Sequence, residues 1–154
     1  DFWRSAGEKY PNHAGRFTGE PGYFQHVRTA LRGILEMEKV KPDDIDHLVL
    51  HMPNVKFPKK IAKEFGFTEE QLQHGFVVPT IGNTYSACSL IGLCSVLQHA
   101  KNGERILLVS YGSGAGADAF LMTMLKDGFP LSPDDRAMQE LTYSEYLRHT
   151  GTTA

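Results

Sequence analysis

Two polar side chains occupy positions where proteins commonly place catalytic or ligand-binding groups. His51 ends a predicted strand and is followed at once by a Pro-Asn turn, and Asn83 lies at the junction between a loop and an apolar helix. Such positions suit chemistry because the packed element fixes the side chain while the adjoining loop leaves it accessible. An amide at the mouth of a buried helix is also costly to leave without hydrogen-bond partners. The sequence therefore selects His51 and Asn83 as candidate site residues.

Both residues also have structural explanations. Asn83 could simply cap the helix that follows it, and His51 could be a buried histidine whose hydrogen bonds are satisfied within the fold. A metal site is not expected. His47 and His51 share one face of the predicted strand, but they would lie about 13 Å apart, and no third ligand is evident. The choice between structure and function stays open on these observations alone.

Basic and glycine-rich segments add two further features. Lys56, Lys59 and Lys60 could neutralise phosphates at the mouth of a pocket. A solvated basic face is the ordinary explanation and is preferred for Lys59 and Lys63. Residues 112–117 match the G-x-G-x-x-A pattern of dinucleotide-binding loops, but the β-like run 119–125 follows where that motif needs a helix. The pattern therefore predicts two strands joined at a glycine corner whose backbone N–H groups face a ligand.

The hydrophobic pattern predicts an α/β fold in which helices cover both faces of a short sheet. Strands are expected at 45–51, 105–110 and 119–125. Helices are expected at 20–40 (with Pro21 in the first turn), 58–65, a capped turn from Thr68, an all-round apolar helix after Asn83, and 143–149, with a loop over 127–136. Residues 1–20 form an irregular arm whose aromatic side chains should pack on something, and residues 21–154 form the layered part. No strand precedes the first helix, so we expect a partner to complete the sheet.

Composition limits the classes of function. Of 154 residues, 41% are hydrophobic and 22% are charged, and the formal net charge is −2, as in an ordinary globular domain. The chain has no Lys/Arg block that would indicate nucleic-acid binding and no apolar run of the roughly 20 residues that span a membrane. Cys88 and Cys94 fall on different faces of the apolar helix. We therefore expect two core thiols, no internal disulfide and a reducing cytoplasm.

Three segments carry a resemblance to a known superfamily: His51-Met52-Pro53-Asn54-Val55-Lys56, Gly82-Asn83-Thr84-Tyr85-Ser86 and Ser110-Tyr111-Gly112-Ser113-Gly114. Together they resemble the C-terminal half of the thiolase-fold condensing enzymes, where a catalytic His and Asn lie on successive loops. Within that superfamily the chain is most similar to the archaeal type of hydroxymethylglutaryl-CoA (HMG-CoA) synthase. The closer similarity lies in Asp1-Phe2-Trp3-Arg4, Gly15-Arg16-Phe17-Thr18-Gly19-Glu20-Pro21 and residues 111–116. The resemblance implies the C-terminal half of an α-β-α layered fold, incomplete without its N-terminal half.

The resemblance also implies a reaction and a set of roles. In this family a cysteine takes acetyl from acetyl-CoA, a glutamate removes a methyl proton, and the enolate attacks the ketone of acetoacetyl-CoA in the mevalonate pathway. Two oxyanions develop, so hydrogen-bond donors must be in place. His51 would polarise the acceptor carbonyl and Asn83 would donate its amide N–H. The substrate and CoA contacts would come from Asn54, Lys56, Tyr85 and the amides of Gly112 and Ser113, although a core role suits Tyr85 equally well.

The family places its nucleophilic cysteine and general-base glutamate in the N-terminal half, which this chain does not contain. Cys88 and Cys94 lie inside the helix after Asn83 and cannot replace that cysteine. We therefore expect the isolated chain to be inactive and to act with an N-terminal half, on the same or a separate chain. The resemblance further implies CoA thioesters as substrates without a bound cofactor or metal, a homodimer, and a complex with acetoacetyl-CoA thiolase and a small scaffold protein. The alternatives are half of an initiating ketoacyl synthase and a non-catalytic scaffold subunit.

Overall fold

A three-stranded sheet between two layers of helices organises the chain in the computed structural model, which describes residues 2–113, 116–129 and 140–151. In chain order the elements are β1 (Phe2–Trp3), β2 (Asn12–His13), α1 (Phe24–Glu38), β3 (His47–Leu50), α2 (Lys56–Phe65), α3 (Glu69–Gln73), α4 (Val78–Ile81), α5 (Cys88–Leu97), β4 (Arg105–Val109), β5 (Ala119–Thr123) and α6 (Tyr143–His149). Short 3₁₀ turns lie at Gly15–Phe17, Pro42–Asp44 and Tyr85–Ala87.

The sheet has the order β3-β4-β5, with β3 parallel to β4 and β4 antiparallel to β5. Side chains alternate between its two faces, as they must in extended backbone. Leu48 and Leu50 belong to the core that α1 and α2 cover, whereas Val49 packs into a second core with Val96 of α5. The alternation predicted for the segment before His51 is confirmed. The strand is buried on both faces, and the architecture is the predicted α-β-α layering.

The first helix begins later than predicted. Residues Thr18–Tyr23 form a π-type turn in which Glu20 has extended backbone angles (φ −117°, ψ 133°) and the Glu20–Pro21 peptide bond is cis. A residue before proline is biased away from the helical region by a clash with the proline ring. The regular helix α1 therefore begins at Phe24, later than the predicted start near Glu20, and Pro21 lies inside the irregular helical turn that leads into it.

Helix α5 is half-buried, although its sequence is apolar on all sides. Cys88, Ser89, Gly92 and Val96 face the sheet, whereas Leu90 on the opposite side is 61% exposed. A Cβ atom at Gly92 would lie 2.9 Å from the carbonyl oxygen of Gly75, so neighbouring backbone approaches the helix closely at this glycine. The predicted full burial of the helix is wrong, because none of the residues that the structure describes covers its outer face at Leu90.

The N-terminal arm contains the short antiparallel pair β1–β2. Phe2 stacks on His13 with ring centroids 4.1 Å apart, while Trp3 remains 52% exposed. At the other end, α6 is capped by Thr142 and Glu145. Within residues 127–136, which were predicted as a loop, 127–129 lack regular structure and 130–136 lie outside the described residues. None of the helices in the described part of the chain is long and apolar enough to cross a membrane.

Candidate functional site

His51 and Asn83 line the same cavity, although 32 residues separate them in the chain. The cavity has a volume of about 580 Å³ and opens to solvent. Six of the seven predicted site residues lie around it: His51, Asn54, Asn83, Tyr85, Gly112 and Ser113. The structure therefore brings together most of the side chains that the sequence selected, while the role of each stays a prediction.

Parallel pairing places His51 at this cavity. The backbone N–H of His51 donates to the carbonyl oxygen of Val109 at 2.9 Å, which extends the β3–β4 pairing one residue past the end of β3. Two residues after Val109, Tyr111 reaches the same cavity. Ligands commonly bind outside the carboxyl ends of parallel strands because several chain segments diverge there. The cavity lies at this edge of the sheet.

The imidazole of His51 is held in an apolar, aromatic setting. His51 is only 8% exposed, and its ring centroid lies 5.8 Å from that of Tyr111 and 6.4 Å from that of Tyr23. Burial lowers the pKa of His51 below its usual value, because desolvation disfavours the charged ring. At neutral pH the ring is uncharged and offers one N–H donor and one acceptor nitrogen.

Asn83 is oriented by a local turn. Its Oδ1 atom accepts the backbone N–H of Tyr85 at 2.8 Å, a local side-chain turn typical of Asn, and Tyr85 adopts a positive φ of 52°. The N-cap position of α5 is Ala87, so the explanation of Asn83 as the cap of this helix is wrong. With Oδ1 engaged, the Nδ2 amide is the donor that remains; the structure records no hydrogen bond from it to any described residue.

Asn54 and Lys56 lie at the start of α2. The Oδ1 atom of Asn54 accepts the backbone N–H groups of Lys56 at 2.9 Å and of Phe57 at 3.1 Å, so this oxygen caps the helix. Lys56 is exposed and does not line the cavity. It is the one predicted site residue that the structure leaves outside, and its contact with CoA phosphates stays a prediction.

The glycine corner differs from its prediction. The N–H of Gly112 donates to the carbonyl oxygen of Gly116 at 2.9 Å, and the N–H of Gly116 donates back at 3.1 Å. The amide of Gly112 is therefore engaged across the corner, and its predicted donation to a ligand is not supported. Ser113 lines the cavity, whereas Gly114 and Ala115 lie outside the described residues.

Sequence reasoning missed the contribution of the arm. Phe2, His13 and Thr18 line the cavity, and the Nε2 atom of His13 lies 3.1 Å from Oγ1 of Thr18. The only signal for this wall was the excess of aromatic residues in the arm. Among residues 2–113, 116–129 and 140–151, no three His, Cys, Asp or Glu side chains are grouped so that they could hold a metal ion.

The cysteines are placed as the sequence predicted in one case only. Cys88 is buried and Cys94 is exposed, so the expectation that both are core residues holds for Cys88 alone. Burial is the largest influence on Cys88 and raises the pKa of its thiol, which disfavours the reactive thiolate. Neither position matches a nucleophile at the cavity, because neither cysteine lines it.

Comparison with known proteins identifies the family. Residues 35–124 match the model of the 3-oxoacyl-[acyl-carrier-protein (ACP)] synthase III C-terminal domain. The chain is 54% identical over 158 aligned residues to the hydroxymethylglutaryl-CoA synthase of Methanococcoides burtonii and 48% identical over 158 to that of Methanosarcina mazei; each alignment covers 98% of this chain. It spans about 45% of the length of these relatives.

A solved structure supports the same relationship. The chain superimposes with a TM-score of 0.65 on a crystal structure of HMG-CoA synthase complexed with CoA, at 26% identity, over 82% of this chain and 36% of that chain. The family match, the relatives and the layered fold agree with one another. The chain belongs to the family of 3-oxoacyl-ACP synthase III C-terminal domains and has the thiolase-like fold of the condensing enzymes.

Proposed function

We propose that this chain is the half of an HMG-CoA synthase that supplies the histidine and asparagine of the active site. The complete enzyme would condense acetyl-CoA with acetoacetyl-CoA. The observation that carries the proposal is the shared cavity of His51 and Asn83, in a chain about half identical to proteins named hydroxymethylglutaryl-CoA synthase. Family similarity alone would also suit an inert scaffold, whereas two donors that converge on one cavity suit catalysis.

The two side chains suit one step of the reaction. When the enolate carbon of an acetyl thioester attacks the ketone of acetoacetyl-CoA, a carbon–carbon bond forms and the ketone oxygen becomes an alkoxide that must then gain a proton. Burial keeps the ring of His51 uncharged, and the uncharged imidazole still carries one N–H that can donate a hydrogen bond to that oxygen. The free Nδ2 amide of Asn83 can donate to an oxygen nearby. Donors already in place stabilise such charge without reorganising during the reaction.

The proposal requires a second half that carries the nucleophilic cysteine and the general base. The outer face of α5 is suited to receive it, because Leu90 is 61% exposed there. Phe120 of β5, which pairs with Leu108 on the α5 side of the sheet, is 55% exposed. Exposed apolar side chains of this kind are typical of interaction surfaces. The proposed partner is an N-terminal thiolase-like half, on the same or a separate chain.

Further parts of the proposal rest on family similarity. These are CoA thioesters as diffusible substrates without a bound cofactor, a homodimer, a complex with acetoacetyl-CoA thiolase and a small scaffold protein, and action in the cytoplasm. The proposed contact between Lys56 and the CoA phosphates belongs with them, because Lys56 is exposed near the cavity-lining residue Asn54.

Turnover in the assembled protein tests the proposal. The chain is combined with its N-terminal half, and free CoA released from acetyl-CoA and acetoacetyl-CoA is measured. We expect activity in the assembly, none from the chain alone, and a loss of about 100- to 1,000-fold in kcat for His51→Ala. The exposed His149→Ala on α6 is the matched control and should be unaffected.

Three results would contradict the proposal, each in a different way. Full activity of the His51→Ala assembly would favour the scaffold alternative. Decarboxylation of a malonyl thioester without condensation of acetoacetyl-CoA would favour an initiating ketoacyl synthase. Substantial CoA release by the isolated chain would show that no second half is needed.

A further inference from the structure

One peptide unit, which joins His51 to Met52, lies just beyond the last paired residue of β3. The N–H of His51 still bonds to Val109 of β4, but the next two backbone groups, the carbonyl oxygen of His51 and the N–H of Met52, have no backbone partner among the described residues. Met52 is 1% exposed. Buried backbone groups are nearly always hydrogen-bonded, so side chains must provide the partners of this peptide unit.

Tyr23 provides the hydrogen-bond partner of the His51 carbonyl group. The Oη–H of Tyr23 donates to the carbonyl oxygen of His51 at 2.8 Å, and Tyr23 is completely buried. It lies immediately before α1 and packs in the core on that side of the sheet, together with Leu48 and Leu50. Burial raises the pKa of Tyr23 far above its usual value, so the hydroxyl stays protonated and remains a donor at any ordinary pH.

Cys88, in the helix layer on the opposite side of the sheet, provides the partner of the Met52 N–H group. Its Sγ atom accepts the N–H of Met52 at 3.2 Å and lies 3.7 Å from the carbonyl oxygen of Met52, to which its S–H can donate. Cys88 is 1% exposed and is the first residue of α5. Five residues earlier in the chain lies Asn83. The thiol therefore connects the segment after His51 with the helix that follows Asn83.

We propose that Tyr23 and Cys88 are positioning residues that together fix the His51–Met52 peptide unit and so aim the imidazole of His51 at the cavity beside Asn83. The two hydrogen bonds hold the C=O and the N–H of one planar peptide group, and their side chains come from opposite sides of the sheet. A peptide plane held at both its C=O and its N–H cannot rotate without breaking one of the two bonds. The inference rests on the proposed function, because it assigns the purpose of the positioning to His51.

Kinetics of the assembled protein test the proposal with conservative variants. Tyr23→Phe removes only the hydroxyl, Cys88→Ala removes the sulfur, and Cys88→Ser restores a group that both donates and accepts. Because small misplacements of a catalytic group are costly, we expect Tyr23→Phe and Cys88→Ala each to lower kcat about 10- to 100-fold with KM changed less than about twofold. Cys88→Ser should recover most of the loss. The exposed Tyr146→Phe on α6 is the matched control and should behave as wild type.

Coupling between the variants gives a second measure. Since both bonds hold one peptide unit, the double variant Tyr23→Phe/Cys88→Ala should lose clearly less than the product of the two single losses. The fold of each variant is checked by its thermal transition in the same assembly. Equal losses in Cys88→Ser and Cys88→Ala, or simple multiplication in the double variant, would overturn the proposal.

A nuclear magnetic resonance titration separates this proposal from the proposed function. With labelled histidine in the assembled protein, the pKa of His51 should rise toward its usual value in Tyr23→Phe and Cys88→Ala, since a released loop lets water reach the ring. It should stay unchanged in Tyr146→Phe. If the wild-type assembly shows no condensing activity, the proposed function fails, and the titration alone decides the present inference. An unchanged titration of His51 in both variants would refute it.

Discussion

Asn83 and Tyr85 form a closed turn in which the side-chain oxygen of Asn83 accepts the backbone N–H of Tyr85 at 2.8 Å. This bond determines which atom of the asparagine can meet a ligand. The oxygen is engaged within the protein, so the Nδ2 amide is left to donate. The turn therefore fixes the orientation of the amide, so that Asn83 presents a hydrogen-bond donor at the cavity that His51 also lines.

Replacing Asn83 by Asp tests the donor without disturbing the turn. A carboxylate still accepts the N–H of Tyr85, but it cannot donate, and its negative charge opposes a developing oxyanion. We expect kcat of the assembled protein to fall about 100- to 1,000-fold, with an unchanged thermal transition. Asn102→Asp, on an exposed turn that does not line the cavity, is the matched control. Wild-type turnover in Asn83→Asp would remove Asn83 from the proposed mechanism.

Stability should depend on pH through histidines that are uncharged in the fold. Burial lowers the pKa of His51. Burial, followed by the nearby charges of His99 and His47, lowers the pKa of His74, while Glu104 acts in the opposite direction. The unfolded chain therefore binds more protons than the folded chain below the usual histidine pKa of about 6.5. The stabilisation is present above that pH and is lost as the pH falls toward the lowered values.

Thermal unfolding measured between pH 8 and pH 5 checks this expectation. The Tm should fall as the pH decreases below about 6.5, and His74→Gln should flatten the dependence without changing the cavity. His149→Gln, on exposed α6, should leave the dependence as it is in wild type. A Tm that is constant or rises over this interval would show that these two histidines do not control acid stability.

Two helix glycines form a matched pair for packing. A Cβ atom at Gly92 of α5 would lie 2.9 Å from both the carbonyl oxygen of Gly75 and Cγ1 of Val49, whereas nothing lies within 4 Å of one at Gly33 of α1. We expect Gly92→Ala to reduce the free energy of unfolding by about 1–3 kcal/mol, because overpacking forces backbone shifts. Gly33→Ala should increase it by about 0.5–1 kcal/mol through helix propensity. Urea denaturation measures the free energy of unfolding of both variants. If the two substitutions change it in the same direction, the packing described for α5 is contradicted.

The capping role of Asn54 can be separated from any contact with a substrate. Asn54→Ala removes the acceptor of two helix N–H groups and should lower the free energy of unfolding by about 1 kcal/mol. Asn54→Asp keeps the acceptor and should retain the stability. If Asn54→Ala unfolds at the same urea concentration as wild type, the cap does not stabilise α2.

The strand that ends at His51 could be predicted because alternation of apolar side chains is a local signal. Capping at Thr68 was equally local, and the structure contains the reciprocal bonds expected between Thr68 and Gln71. The irregular turn before α1 could not be predicted, since the extended conformation of Glu20 interrupts the helical backbone around it. The exposure of α5 could not be predicted from its sequence either. An apolar helix face indicates that another surface packs on it, but it does not indicate whether that surface belongs to the same chain.

Individual residues of the site could be predicted from the sequence, whereas contacts that depend on how two chain segments align could not. His51 and Asn83 were found from their places at the ends of packed elements. The engagement of the Gly112 amide depends on its pairing with Gly116 across the corner, and the wall formed by His13 depends on where the arm folds back. Both are contacts between segments whose relative placement the sequence pattern does not specify.

Ligand titration of the assembled protein, followed by nuclear magnetic resonance, tests the central claim most directly. The ligand is a thioether analogue of acetoacetyl-CoA that keeps the ketone and cannot be cleaved. The labelled imidazole of His51 and side-chain amide of Asn83 should shift together along one saturation curve, since both face the same cavity, while His149 on α6 stays unchanged. Saturable binding of the analogue that leaves the signals of His51 and Asn83 unmoved would contradict the account.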